Sequence, residues 1–301
     1  MVKKRMNRVD IHADDYALTK NTSKSILEGV NGGKLDSISV VPNMAYYEDA
    51  VRLWKQELKA EREPKISVHL NFMEGHCCAS KEKVYLLVDE RGYFKLSWID
   101  LVKYNYNYSK YEEVKKQLKI EIKEQINRVI KDYELLKNRK LRVDSHQHTH
   151  MIPIVMKALL EVVEEEKIPV EYIRISKEMV IPYLKQIKFY PTYSPINMVK
   201  VAILNFFSME DERLLKTKKI PTMILSGVFM SGHMDIERVT ALLPDLKKKA
   251  EKKNVTLEVL FHPGKALKEE VGEEFVSEDA NKFYFSEGRE IEYHAMMNLK
   301  K

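Results

Sequence analysis

The densest chemistry in the chain lies in one short stretch, Asp144-Ser145-His146-Gln147-His148-Thr149-His150. Side chains alternate across a strand, so an extended run through these residues turns His146, His148 and His150 to one side. Three imidazoles on one face are hard to explain by packing, and neutral imidazole is the commonest transition-metal ligand among side chains. A second group, Asp14-Asp15, offers adjacent carboxylates that diverge at a strand end, so one can bind a metal while the other handles a proton. Taken alone the pair is a weak signal and reads more readily as a helix N-cap followed by a first-turn acid. His69, within Ser67-Val68-His69-Leu70-Asn71, is by itself as much a core histidine as a ligand, and His262-Pro263-Gly264 is a weak signal alone.

What joins these groups is where each falls along the chain. Short β-branched runs predict strands over 8–13, 37–41, 65–70, 141–144, 170–175, 222–226 and 256–261. Helical patterns fall between them, over 20–31, 46–60, 111–136, 154–166 and 235–253. The helix over 111–136 is the most regular, with Val114, Leu118, Ile122, Ile126, Val129 and Tyr133 at helical spacing. Gly32-Gly33 stops the first helix, and Pro153 sits where the fourth can begin. Strand and helix in alternation imply parallel pairing and an α/β architecture. Asp14-Asp15, His69, His146 and His262 all close predicted strands, the end at which a parallel barrel carries its chemistry. Two stretches resist this pattern. Residues 71–109 are irregular and rich in aromatic and polar residues, which reads as a substrate-facing excursion. Residues 185–210 are broken at Pro191 and Pro195 and then turn apolar over 199–207.

Composition narrows the class further. The 301 residues, 44% of them hydrophobic, suffice for one large domain. The net charge is +6, yet 51 basic residues are mixed with 45 acidic ones. Runs such as Lys247-Lys248-Lys249 therefore read as a solvated helix face and not a nucleic-acid stripe. The two cysteines, Cys77 and Cys78, are adjacent, where disulfide geometry is strained. Without a disulfide framework, a signal peptide after the basic N-terminus or an apolar run of membrane-spanning length, the sequence reads as cytoplasmic.

The matching stretches then carry a family resemblance. His12-Ala13-Asp14-Asp15-Tyr16, Ser67-Val68-His69-Leu70-Asn71, Asp144-Ser145-His146-Gln147-His148-Thr149-His150-Met151-Ile152-Pro153 and Glu258-Val259-Leu260-Phe261-His262-Pro263-Gly264 resemble, in order, the YdjC-like family of carbohydrate deacetylases, which includes the chitooligosaccharide deacetylases. The resemblance spans nearly the whole chain. It implies a single domain over 1–301 with a distorted parallel (β/α) barrel related to the polysaccharide deacetylases. It also implies one divalent metal held by Asp15, His69 and His146, with Asp14 as general base and His262 as general acid. The substrate would be an N-acetylated sugar such as a chitooligosaccharide, and the assembly a homodimer. Two departures stand out: His12 replaces the family's usual Asn, and Tyr16-Ala17 replaces a Phe-Gly pair. The second is expected to alter the turn after the aspartates, because Gly reaches backbone angles that Ala avoids.

Two imidazoles favour Zn²⁺, Co²⁺ or Ni²⁺ over Mg²⁺ on ligand softness, whereas the resembled family is generally described with Mg²⁺. Arg174, at the end of a predicted strand, is a candidate to contact substrate or orient a carboxylate. His148 and His150 are candidates to line the pocket, Glu258 to support a ligand or form an ion pair, and Trp98, Tyr104, Tyr106 and Tyr108 to stack on sugar. Two other readings stay open. One is a phosphoesterase or non-sugar amidohydrolase on a similar barrel, and the other a sugar-binding protein without catalysis.

Overall fold

The computed structural model describes residues 9–137, 140–276 and 278–300; Arg8, where the sequence pattern starts the first strand, and the basic N-terminus lie outside them. Seven strands form one all-parallel sheet: β1 (Val9–Tyr16), β2 (Ser37–Val40), β3 (Lys65–Leu70), β4 (Leu141–Ser145), β5 (Val170–Ile173), β6 (Ile224–Ser226) and β7 (Leu257–Phe261). Their order is β5-β4-β3-β2-β1-β7-β6. A single parallel bridge between Glu178, just past β5, and Leu225 on β6 brings the two edges together at one end. The result is a single-domain distorted (β/α) barrel: the alternation of strand and helix implies the parallel α/β architecture, and the family resemblance implies the barrel.

The helices between the strands form for local reasons. In α1 (Lys20–Asn31) the Thr19 hydroxyl accepts from the backbone N–H of Thr22. Helix α2 spans Tyr47–Glu57 and α3 spans Trp98–Tyr106. The longer α4 (Tyr111–Asp132) buries Val114, Leu118, Ile122, Ile126 and Val129 as one stripe. Pro153 occupies the first turn of α5 (Pro153–Glu165), which is apolar almost all round because it packs against both α4 and α3. Helix α3 falls inside the stretch expected to be irregular, where a capping box between Ser97 and Asp100 starts it. Residues 185–210 follow α6 (Val180–Leu184) and resolve into a 3₁₀ turn (Ile187–Thr192) and most of the long α7 (Pro195–Thr217). Beyond α8 (Ile236–Lys253) and β7, two further helices, α9 (Glu278–Tyr284) and α10 (Glu287–Asn298), fold back over the barrel's carboxyl end.

The barrel interior is polar. Residues at alternate positions contact strands that are not their neighbours, so they must lie inside. Arg142 on β4 reaches Asp10 on β1 at 3.1 Å, and Tyr172 on β5 reaches Glu258 on β7 at 2.7 Å. Ser37, Ser39, Ser67, His12 and Asp144 share this interior, while Ile11, Ala13, Ile38, Val40 and Val68 point outward into the helical layer. Burying charge costs several kcal/mol per ion unless it is paired and fully hydrogen-bonded. The interior meets that condition by pairing: Arg142 and Arg174 between them contact Asp10, Asp14, Asp144, Glu171 and Glu258.

Candidate metal centre

Adjacent residues on a regular strand face opposite ways, yet Asp14 and Asp15 both point inward. A bulge explains this. Ala13 pairs with Ile38 and Tyr16 with Val40, so two aspartates stand opposite the single Ser39. Asp15 takes a positive φ of 74°, and Ala17 follows at 73°. Ala17 thus holds a left-handed angle, a conformation that costs an L-residue roughly 1–2 kcal/mol.

The histidine stretch departs from the extended form that alternation would require. Strand β4 ends at Ser145, and residues 146–151 coil into a tight turn in which Gln147 and His148 are left-handed, φ 50° and 56°. The alternation is lost and the three rings separate. His146 turns to Asp15, His148 places Nδ1 3.0 Å from the Ser176 hydroxyl, and His150 donates from Nε2 to the Arg174 carbonyl at 2.9 Å. Burial pushes the His150 imidazole down to about 4, and burial with the charges of Lys200 and Arg174 lowers His148 well below its ordinary value. Both rings are neutral at physiological pH.

Three side chains from three strand ends converge. Oδ1 of Asp15 lies 3.1 Å from Nδ1 of His146 and 3.5 Å from Nε2 of His69, and one atom from each fits within a span of 4.8 Å. All three residues are buried. His69 is held from behind, its Nδ1 2.6 Å from Oδ1 of Asp144. That carboxylate accepts a hydrogen bond from Nδ1, the usual carboxylate support for a ligating imidazole, and leaves Nε2 as the nitrogen that would face a cation. Burial opposes charge on His69, but Asp14, Asp144 and Asp15 outweigh it and push the ring up to about 10. A position that draws a proton so strongly is one that suits a cation. Burial also opposes ionisation of Asp15, and the Arg289 guanidinium, 2.9 Å from Oδ2, overcomes it and holds the carboxyl well below the usual range.

Asp14 lies beside this group in a different environment. Arg174 grips it through two parallel bonds of 2.8 and 2.9 Å, contacts Asp144 at 3.3 Å and donates from Nε to Glu258 at 2.7 Å. Burial raises the Asp14 carboxyl, and Arg174, ahead of His69 and His12, pulls it well below its ordinary value. Arg174 is fully buried with its nitrogens on carboxylates, so orienting those groups fits its contacts and reaching substrate does not. His12 fills a gap between strands, with Nδ1 2.6 Å from Ser37, Nε2 2.7 Å from Ser39 and 3.0 Å from Asp14. His12, Asp14 and Asp144 also approach closely enough to suggest a cation site, but the Arg174 guanidinium already supplies the charge there.

His262, at the end of β7, is partly exposed, and Oε2 of Glu292 receives both its backbone N–H (2.6 Å) and its Nδ1 (3.2 Å). Four residues at the site carry no signal in the sequence pattern: Glu74, Tyr284, Arg289 and Glu292. Tyr284 contacts His146, Arg289 contacts Asp15, and Glu292 contacts His262. These last three come from α9 and α10, beyond the last strand, where no spacing in the sequence ties them to the ligand motifs. Trp98 packs on Phe207, whereas Tyr106 and Tyr108 are exposed.

The sequence model of YdjC-like proteins matches residues 8–300. The chain belongs to the YdjC-like family. Among curated relatives, a carbohydrate deacetylase of Thermoanaerobacter pseudethanolicus is 31% identical over 176 residues, which cover 58% of this chain and 64% of that protein. A carbohydrate deacetylase of Clostridium beijerinckii is 24% identical over 65% of this chain and 73% of its own length, and one from Danio rerio 23% identical over 61% and 53%. The match thus spans less than two thirds of the Thermoanaerobacter protein. A crystal structure from Enterococcus faecalis, provisionally named for cellobiose-phosphate cleavage, superposes over 96% of this chain and 90% of its own with a TM-score of 0.65 at 18% identity, a likeness of fold. Among the described residues no helix is long and apolar enough to cross a membrane.

Proposed function

We propose that this protein hydrolyses the N-acetyl group of an N-acetylated sugar, such as a chitooligosaccharide, releasing acetate, and that it needs one divalent cation held by Asp15, His69 and His146. The supporting observation is the donor set. Two imidazole nitrogens and a carboxylate oxygen meet in a buried space, and three protein ligands leave positions open for water and substrate, as in catalytic sites. The relatives named carbohydrate deacetylases support the substrate class. When bound, the cation would polarise the amide carbonyl and acidify water; the two imidazoles suit Zn²⁺, Co²⁺ or Ni²⁺, and Mg²⁺ comes from the family resemblance.

The chain's own groups would handle the protons. Asp14, kept ionised by Arg174, would accept a proton from the attacking water. Glu292 takes the Nδ1 hydrogen of His262, so Nε2 would deliver a proton to the departing sugar amine. Each such transfer contributes about 10²–10⁴-fold. A phosphoesterase with two ions gains nothing from the second acidic cluster, because Arg174 occupies it.

Acetate release from diacetylchitobiose, with and without chelator, tests the reading. Asp14→Asn should retain the cation and lose about 10²-fold or more in turnover, and His146→Ala should lose cation and turnover together. Normal turnover in both variants would refute the assignment, and tight sugar binding without acetate release from a broad panel of N-acetylated sugars would favour a binding protein.

A further inference from the structure

Resting on the proposed cation site, we propose that Tyr284 and Glu74 form a relay that fixes the hydrogen of His146 on Nε2 and so makes Nδ1, not Nε2, the atom that faces the cation. The Tyr284 hydroxyl lies 2.6 Å from Nε2 of His146 and 2.8 Å from Oε2 of Glu74. A phenol has a single hydrogen to donate, and a carboxylate can only accept. With the Tyr284 hydrogen directed to Glu74, the Tyr284 oxygen is an acceptor, and Nε2 of His146 must be the donor. The ring's other nitrogen is then a bare lone pair, and it is this Nδ1 that stands 3.1 Å from Oδ1 of Asp15.

The two histidines are therefore presented through opposite nitrogens. Asp144 holds Nδ1 of His69 directly and turns Nε2 inward. Glu74 does the equivalent for His146 at one remove, through a phenol, and turns Nδ1 inward. The whole relay is buried: Glu74, Tyr284 and His146 are each 5% exposed or less. His146 has only a tight left-handed turn beneath it, so the backbone leaves its ring orientation to the side-chain partners. Phe275 packs edge-on against Tyr284, with ring centroids 5.8 Å apart, and holds the phenol in place. Tyr284 is thus a positioning residue for the cation and takes no part in the bond-making steps.

The test uses full-length protein with ¹⁵N-labelled histidine and zinc as probe. Long-range ¹H–¹⁵N correlation of the zinc-loaded wild type should show the His146 hydrogen on Nε2 and zinc on Nδ1; the reverse pattern would overturn the relay. By calorimetry, Tyr284→Phe should weaken zinc binding about 10–100-fold, the range for loss of a ligand's supporting partner. Glu74→Gln keeps the phenol's packing but can donate to it, so it should also weaken zinc and shift hydrogen toward Nδ1. Unchanged zinc affinity in both variants, with wild-type binding intact, would overturn this inference alone. Failure of the wild type to bind zinc, cobalt, nickel or magnesium would instead remove the proposed cation site itself.

Discussion

Arg174 offers the most demanding test of how the barrel interior is held. Replacing it with Met keeps much of the volume but removes the cation shared by Asp14, Asp144 and Glu258. Breaking one buried ion pair by deleting a partner costs about 3–5 kcal/mol, because the remaining charge stays buried and unpaired. Here one deletion takes the guanidinium from three carboxylates, all at 2% exposure or less, which keep His12, His69 and Tyr172 as close partners, so a loss within that range is expected. Folded domains are stable by about 5–15 kcal/mol in all, which puts Arg174→Met near the limit of folding at pH 7. The sign of the pH dependence follows from the wild type. Asp14 has a folded value depressed below its unfolded one, so the stability it contributes is present above about pH 4 and is lost as pH falls through the folded value. The gap between wild type and variant should therefore be widest at neutral pH and narrow below about pH 4. Urea unfolding followed by circular dichroism at pH 7 and at about pH 3, below the unfolded aspartate value, reads both quantities. Arg174→Lys, which restores charge without the planar fork, should fall between the two. A loss under about 1 kcal/mol at pH 7, or a gap that widens on acidification, would refute the reasoning.

Further expectations follow from single features. Asp211 on α7 is buried, neither oxygen has a hydrogen-bond partner among the described residues, and burial pushes it up to about 8, with Glu210 adding to the shift. Its folded value lies above the unfolded one, so stability should fall as pH rises from about 4 to 8; Asp211→Asn should flatten that decline, and parallel melting curves at pH 5 and 8.5 would refute it. Ala17→Gly should stabilise the protein by up to about 1 kcal/mol, the left-handed strain relieved less the added chain entropy, and a lowered urea midpoint would contradict this. Zinc at about 100 times its dissociation constant should add about 2.7 kcal/mol of stability, seen as a higher melting temperature that chelator reverses and His146→Ala never gains.

Much of the fold is legible in the sequence because its elements follow local rules. Helix α1 and strand β3 lie where the pattern places them, and α4 differs only in its last turn, since a single buried stripe on each helix leaves a clear period. Helix α7 is hidden for the opposite reason. It buries Val201, Leu204 and Phe207 but also exposes Ile196, Val199 and Phe206, so apolar residues surround it and no period stands out. The three strand-end residues Asp15, His69 and His146 converge as the family resemblance implies. The means of their convergence is not legible: a bulge of one residue and a left-handed turn are backbone choices that leave no periodic trace. For Arg174 the sequence leaves substrate contact, carboxylate orientation and a plain surface or ion-pair role open. Its interior place depends on Asp14 and Glu258, residues 160 and 84 positions away.

The three supports drawn from α9 and α10 give the molecule a temporal order as it is made. All seven strands, and every proposed ligand, precede Tyr284, Arg289 and Glu292 along the chain. His146, Asp15 and His262 therefore lack the neighbours that aim them until the last two helices have been made. The same late segment adds Ala295, Met296 and Leu299 to the core, so its arrival completes the packing and the site together.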